Sequence, residues 1–361
     1  MDADRTRARE TRRIRSVHDS RPHAIIDSPM THEIEAVSIS WRIARALREP
    51  GWAGEVLAAY PRSFYLADED GSIYAVVQQS IGNGPFSLVI PAVPGQTFRE
   101  LSAGTPAIGN GTLLAIGETL RIGLSAGTLW DPKAYPGLAV DELTLARCLV
   151  AAYQTVVSTS PDASLVRLLP HLQDEDLPAT MQDITHFPRS HALIAGLVDA
   201  LAQRNRRSLK VVTASLAGLG PGLTPSGDDF LAGMLVALAL AHEQRPDPVL
   251  AEIAGLLLET AAPRTHGISA AYLRAAYTGE VSERWQPLIG ALAAGDDDGV
   301  AAAALAVIKT GETSGADMLA GFLGGFSAIY RIPLLPQSET MLPGFGALPS
   351  EPSPPAGGAR A

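Results

Sequence analysis

The stretch Gly218-Leu-Gly-Pro-Gly-Leu-Thr-Pro-Ser-Gly-Asp-Asp-Phe-Leu-Ala-Gly233, continued by apolar residues to Ala241, decides how the second half of this chain is read. Glycine and proline punctuate its first eight positions, which marks a turn, and the run behind them has no polar face. A helix that is apolar all round is a buried helix. The motif therefore predicts a tight loop opening directly into the core. It also has an echo: Ser226-Gly-Asp-Asp-Phe-Leu-Ala-Gly233 returns as Ser314-Gly-Ala-Asp-Met-Leu-Ala-Gly321. Two buried helices with matching starts suggest related units whose N-termini converge on one pocket.

Outward from that motif the period stays helical. Asp141–Val157 and His191–Asn205 precede it as amphipathic helices, and the segment just before it, Leu209-Lys-Val-Val-Thr213, reads as weakly strand-like. Helices are predicted at 228–242, 248–260, 269–277, 282–293, 299–308 and 315–330. The front of the chain differs. Phe64–Ala67, Ile73–Val77, Phe86–Ile90, Leu113–Gly117 and Leu120–Leu124 are short runs with β-branched or aromatic residues. Turn signals at Asp68-Glu-Asp-Gly71 and Gly82-Asn-Gly-Pro85 separate the first three. The fold class is therefore α+β. An N-terminal antiparallel β barrel or sandwich-like domain (32–136) is followed by a mostly α-helical ligand-binding domain (137–333). The Arg-rich segment 1–31 has no apolar stretch behind it and reads as a disordered leader; the Pro/Gly/Ser-rich segment 334–361 reads as a disordered tail.

Composition narrows the function. A formal net charge of −10 argues against a nucleic-acid partner, which demands a basic face. No apolar run approaches the ~20 residues that span a bilayer, so no membrane role is expected. The single cysteine, Cys148, reads as a small buried hydrophobe and fits a reducing, cytoplasmic setting.

The site residues follow from the motif. Ser226 with Asp229, and Ser314 with Asp317, have the spacing of a capping box, in which serine caps the helix and the acid at the third helical position answers it. Capping explains neither Gly218, Gly220 and Gly222 nor the second carboxylate, Asp228. Glycine-rich backbone ahead of a helix suits an anion, whereas Asp228 and Asp229 would repel one. Two arrangements resolve this. Either loop amides take the anion while the aspartates grip amide or ammonium protons, or a hard cation such as Mg²⁺ bridges carboxylates and phosphate. Candidate catalytic residues are Asp228, Asp229 and Thr224. Candidate substrate-binding residues are Gly220, Gly222, Ser226, Gly227, Ser314, Gly315 and Asp317. Arg264, Thr265 and Ser269 join these from Pro263-Arg-Thr-His-Gly-Ile-Ser269, a second polar turn that opens a helix and brings positive charge. No resident metal is assigned. His186 and His191 lack carboxylate or cysteine partners at zinc-site spacing.

Together with Ile81-Gly-Asn-Gly-Pro-Phe86, Thr265–Ala275 and Gly311–Gly321, the 218–233 motif resembles the AllH family, and the resemblance spans about residues 35 to 332. That family is linked to oxamate carbamoyltransferase in anaerobic allantoin and purine breakdown. The resemblance implies a subunit of an enzyme that moves a carbamoyl group between phosphate and oxamate, with oxalurate as the carbamoylated product. It also implies companion subunits and a small carboxamide or acyl-phosphate ligand. It brings no assigned catalytic residues. The alternative is a metabolite-binding or assembly subunit that leaves the chemistry to a partner.

Overall fold

The computed structural model describes residues 32–92, 98–182 and 187–333. The expected leader and tail, and His186, lie outside them. Two compact units emerge. One holds the described residues up to Ala134 together with residues 266–275 and 280–286; the other holds the remaining described residues.

The first unit is a ten-stranded sheet curled into a half-barrel. Its strands are β1 (His32–Glu35), β2 (Ser38–Ser40), β3 (Ala53–Ala59), β4 (Ser63–Asp68), β5 (Ile73–Gln78), β6 (Ser87–Ile90), β7 (Pro106–Gly109), β8 (Leu113–Ile116), β9 (Leu120–Gly123) and β10 (Thr128–Trp130), with helix α1 (Trp41–Arg48) after β2. The spatial order is β1-β9-β8-β7-β3-β4-β5-β6-β2-β10. The β-rich front is therefore present, but its sheet is mixed rather than antiparallel throughout. Three pairs run parallel: β1 with β9, β2 with β10, and β5 with β6. Local hairpins account for the legible part. Between β4 and β5 the Asp68 carboxylate accepts from the Ser72 and Asp70 amides, and Gly71 takes φ +77°. That turn sets the antiparallel register Leu66↔Tyr74. Strand β5 is buried along its whole length, which is why Ile73–Val77 reads as a continuous apolar run rather than an alternating one.

The Ile81–Phe86 motif has a structural use in this unit. Glu283 accepts from both the backbone amide (2.8 Å) and the side-chain amide (2.7 Å) of Asn83, and returns a backbone bond to the Asn83 carbonyl. Gly82, at φ +90°, leaves room for that carboxylate; a Cβ there would overlap it. The motif thus pins segment 280–286 to the sheet.

The second unit is helical: α2 (Glu142–Thr159), the short α3 (Ala179–Gln182), α4 (Phe187–Ala202), α5 (Arg206–Leu216), α6 (Ser226–Gln244), α7 (Pro248–Ala261), α9 (Trp285–Ala294), α10 (Asp297–Ile308) and α11 (Ser314–Tyr330). Helix α8 (Gly267–Tyr277) starts in the sheet unit and ends here. Segment 209–213, expected as weakly strand-like, is part of helix α5. Its β-branched residues suggest a strand, but Asn205 caps the helix through the Ser208 amide. Leu209, Thr213 and Leu216 then fall on one buried helical face. Cys148 is fully buried in α2 and donates to Asp297 at 3.1 Å. Burial pushes its thiol up to about 12, so it stays protonated as a core side chain.

Helices α6 and α11 form the centre of this unit and cross at their glycines. A Cβ on Gly233 would lie 1.8 Å from the Met318 carbonyl; one on Gly321 would lie 1.8 Å from that of Phe230. Gly233 and Gly321, like Phe230 and Met318, occupy equivalent places in the repeated motif. The contact is therefore reciprocal, as across a local twofold axis. Equivalence extends backwards into the preceding helices. Leu219 N–H reaches the Leu216 carbonyl as Thr310 reaches Val307, and Gly227 N–H reaches Leu219 as Gly315 reaches Thr310. Gly220 and Gly311, both at positive φ, turn the chain against Ser226 and Ser314. The α5-turn-α6 unit thus recurs as α10-turn-α11.

Candidate functional site

The local axis brings both helix tips together, with Thr224 Oγ1 3.1 Å from Ser314 Oγ. The expected capping boxes are not what the two motifs make. Pro225 and Thr313 occupy the cap positions, neither with a side-chain cap bond, and both serines are the first residues of their helices. Each serine instead serves the other copy: Ser314 hydrogen-bonds the Asp229 carboxyl group and Ser226 that of Asp317. The reason is geometric. Once the tips face one another, a hydroxyl in the first turn reaches the facing carboxyl group, leaving its own helix to be started by the backbone bonds from Asp229 to Pro225 and from Asp317 to Thr313.

Asp229 and Asp317 are both buried, and Oδ2 of each has no hydrogen-bond partner among the described residues. Burial raises both pKa values, since a carboxylate out of water is disfavoured. Asp317 rises to about 6, held back by the Leu165 amide (2.6 Å to Oδ1), Ser226 and Thr313. Asp229 is raised well above its ordinary value, first by desolvation and then by the negative charge of Asp317, against the hydroxyls of Ser314 and Thr224. The charge of Asp317 opposes ionisation of Asp229, so the buried pair resists carrying two negative charges.

Asp228 occupies a different environment. It is buried, accepts from the Gly218 amide at 2.8 Å and is hydrogen-bonded by the Thr265 hydroxyl. It thereby ties the glycine-rich loop to the chain after α7. Arg264 is exposed and donates to the Thr260 carbonyl that lies one turn back. Gly222, at φ +96°, is exposed with open space around its Cα. Gly227 and Gly315 are buried; a Cβ on either would strike the closing carbonyl of the preceding helix, at Leu216 or Val307. Ser269 is buried in the part of α8 that belongs to the sheet unit.

The structure thus brings together Thr224, Ser226, Asp229, Ser314 and Asp317, with Asp228 and Thr265 just behind the loop. Sequence reasoning missed Leu165 and Thr313. Leu165 contributes only a backbone amide, from a 3-10 segment distant in sequence, and no side-chain signal marks it. Among the described residues, no group of three or more His, Cys, Asp or Glu is placed to hold a metal ion, and no helix is long and apolar enough to cross a membrane.

Two family models match the chain. Residues 216–326 match the family described as oxamate carbamoyltransferase subunit AllH, and residues 35–129 match the AllH family N-terminal domain. No solved structure matches the chain.

Proposed function

The chain belongs to the AllH family, and from that membership we propose that its paired helix tips form a substrate site of an oxamate carbamoyltransferase completed by companion subunits. One observation carries the reading: two buried carboxyl groups whose pKa values are both raised, each with an unpartnered oxygen among the described residues, at the meeting point of the repeated motif.

The chemistry asks for such a pair. Carbamoyl transfer to oxamate forms a bond from the amide nitrogen to the carbamoyl carbon, breaks the carbon–oxygen bond to phosphate and removes one N–H proton. An amide nitrogen is a weak nucleophile. A base with a pKa near 6 is well matched to taking that proton, and Asp317 has it. The carbamoyl oxygen gains negative charge as the bond forms. The retained proton of Asp229 supplies a donor for it, in a dry setting where such a bond is strong. Amides of the loop at half-buried Gly220 and exposed Gly222 take the phosphate or the oxamate carboxylate. Asp228 acts by holding that loop in place.

The test is turnover of the complex reconstituted with its companion subunits. Ser314→Ala removes the hydroxyl that orients Asp229, and kcat/KM for oxamate is expected to fall about tenfold, the loss of one hydrogen bond to a charged or polarised group. The contact of Thr224 with Ser314, which closes the tips upon each other, favours the second reading, a subunit that holds a metabolite while a partner reacts it. Under that reading Ser314→Ala weakens oxamate binding to this chain and leaves turnover of the complex unchanged.

A further inference from the structure

At the ends of α6 and α11 away from the tips, beside the start of α7, lies a cleft of about 180 Å³. Arg204, Arg245 and Arg331 line it against Glu142 and Asp247, an excess of positive charge in a chain of formal charge −10. The three guanidiniums differ in how far they are committed. Arg204 bonds Asp247 at 2.7 Å, and Asp247 also caps α7 through the Val249 and Leu250 amides. Arg245 stands 3.6 Å from Glu142 with both side chains largely exposed, a pairing that water and salt weaken. The Arg331 guanidinium has no ion-pair or hydrogen-bond partner among the described residues.

A second observation singles out the same residues. Arg204 and Arg331, both at φ +53°, are the only non-glycine residues with left-handed backbone among those described. Each lies just past a helix end. The following residue reaches back to close that helix, Asn205 to the Ala200 carbonyl and Ile332 to that of Ser327. Glycine is the usual occupant of such a position because any side chain strains it. Strained residues that persist cluster where the side chain has work to do, and here both guanidiniums border one cleft.

We propose that this cleft binds a small anion carrying two or more oxygens, a phosphate or a dicarboxylate, gripped by Arg331 and Arg245. The planar fork of a guanidinium matches such groups. The C-terminal ends of α6 and α11 bring negative partial charge, which opposes an anion, so binding depends chiefly on the guanidiniums. That makes Arg331, the one without a competing partner, decisive.

Titration calorimetry of the full chain with inorganic phosphate and with malonate tests this. Saturable binding is expected for at least one, and either ranking supports the site while identifying its anion. Arg331→Gly relieves the strained backbone and so keeps or raises Tm, yet affinity should fall at least about tenfold. Ser314→Ala should leave affinity within about twofold. Undiminished affinity in Arg331→Gly, or no saturable binding by the unaltered chain up to about 10 mM, overturns the proposal. Loss of binding in Ser314→Ala, alone or along with Arg331→Gly, also overturns it, because the anion then depends on the tips.

Discussion

Alanine at Gly233 or Gly321 is expected to destabilise the protein by about 3 kcal/mol, at the upper end of what overpacking a core costs. The added methyl group would stand 1.8 Å from a backbone carbonyl of the facing helix, a partner that cannot rotate aside as a side chain would. Only movement of a whole helix relieves the clash, and α6 and α11 are buried nearly throughout. The gain in helix propensity from glycine to alanine, about 1 kcal/mol, offsets part of the loss. Gly255→Ala provides the control. It lies within α7 with nothing inside 4 Å of an added Cβ, so the same propensity gain should appear there unopposed, raising stability by about 0.5–1 kcal/mol. Urea or thermal unfolding separates the two results. Gly233→Ala with unaltered stability would mean that the two helices do not cross at these glycines.

The second large effect is a trade between stability and chemistry at the carboxyl pair. Asp317 shifts from 3.8 to about 6 on folding, so the folded chain holds this proton more tightly than the unfolded chain. Its stabilising contribution is complete below pH 3.8 and disappears as the pH rises through about 6. Above that, the buried charge costs about 3 kcal/mol relative to the protonated state. Asp229 shifts in the same direction. Asp317→Asn keeps the shape and an oxygen for the Leu165 amide while deleting the charge. It should be more stable than the native chain at pH 8 and should lose much of the decline between pH 4 and 7. Turnover of the reconstituted complex should drop at least about a hundredfold, the usual contribution of a positioned base. Unfolding curves across this pH range check the first part. Equal slopes for the two proteins would remove the basis for a carboxylate–carboxylic acid pair.

Why the sequence discloses some of this and not the rest is a matter of distance along the chain. Hairpins such as β4–β5 are written locally, in the Asp68–Gly71 turn and its flanking apolar residues, and they fold as read. Two of the three parallel pairs join strands far apart, with His32 opposite Leu120 and Ser38 opposite Thr128, and no local pattern encodes them. Buried helices with matching starts were legible because Ser-Gly-x-Asp-x-Leu-Ala-Gly occurs twice. The hydrogen bonding of those starts was not. Serine three residues before aspartate has the local spacing of a capping box, and only the facing copy redirects each serine across the axis. Asp228 and Asp229 look alike as neighbours in sequence. The fold separates them, giving one to the loop and setting the other beside Asp317.

A structure of the reconstituted complex with oxamate and phosphate bound tests the central claim most directly. The account predicts the oxamate amide between the two tips, within about 3 Å of Oδ2 of Asp317 and Asp229, with an anionic oxygen on the amides near Gly220 and Gly222. Oxamate bound elsewhere, with Thr224 still on Ser314 and both Oδ2 atoms untouched, would contradict it.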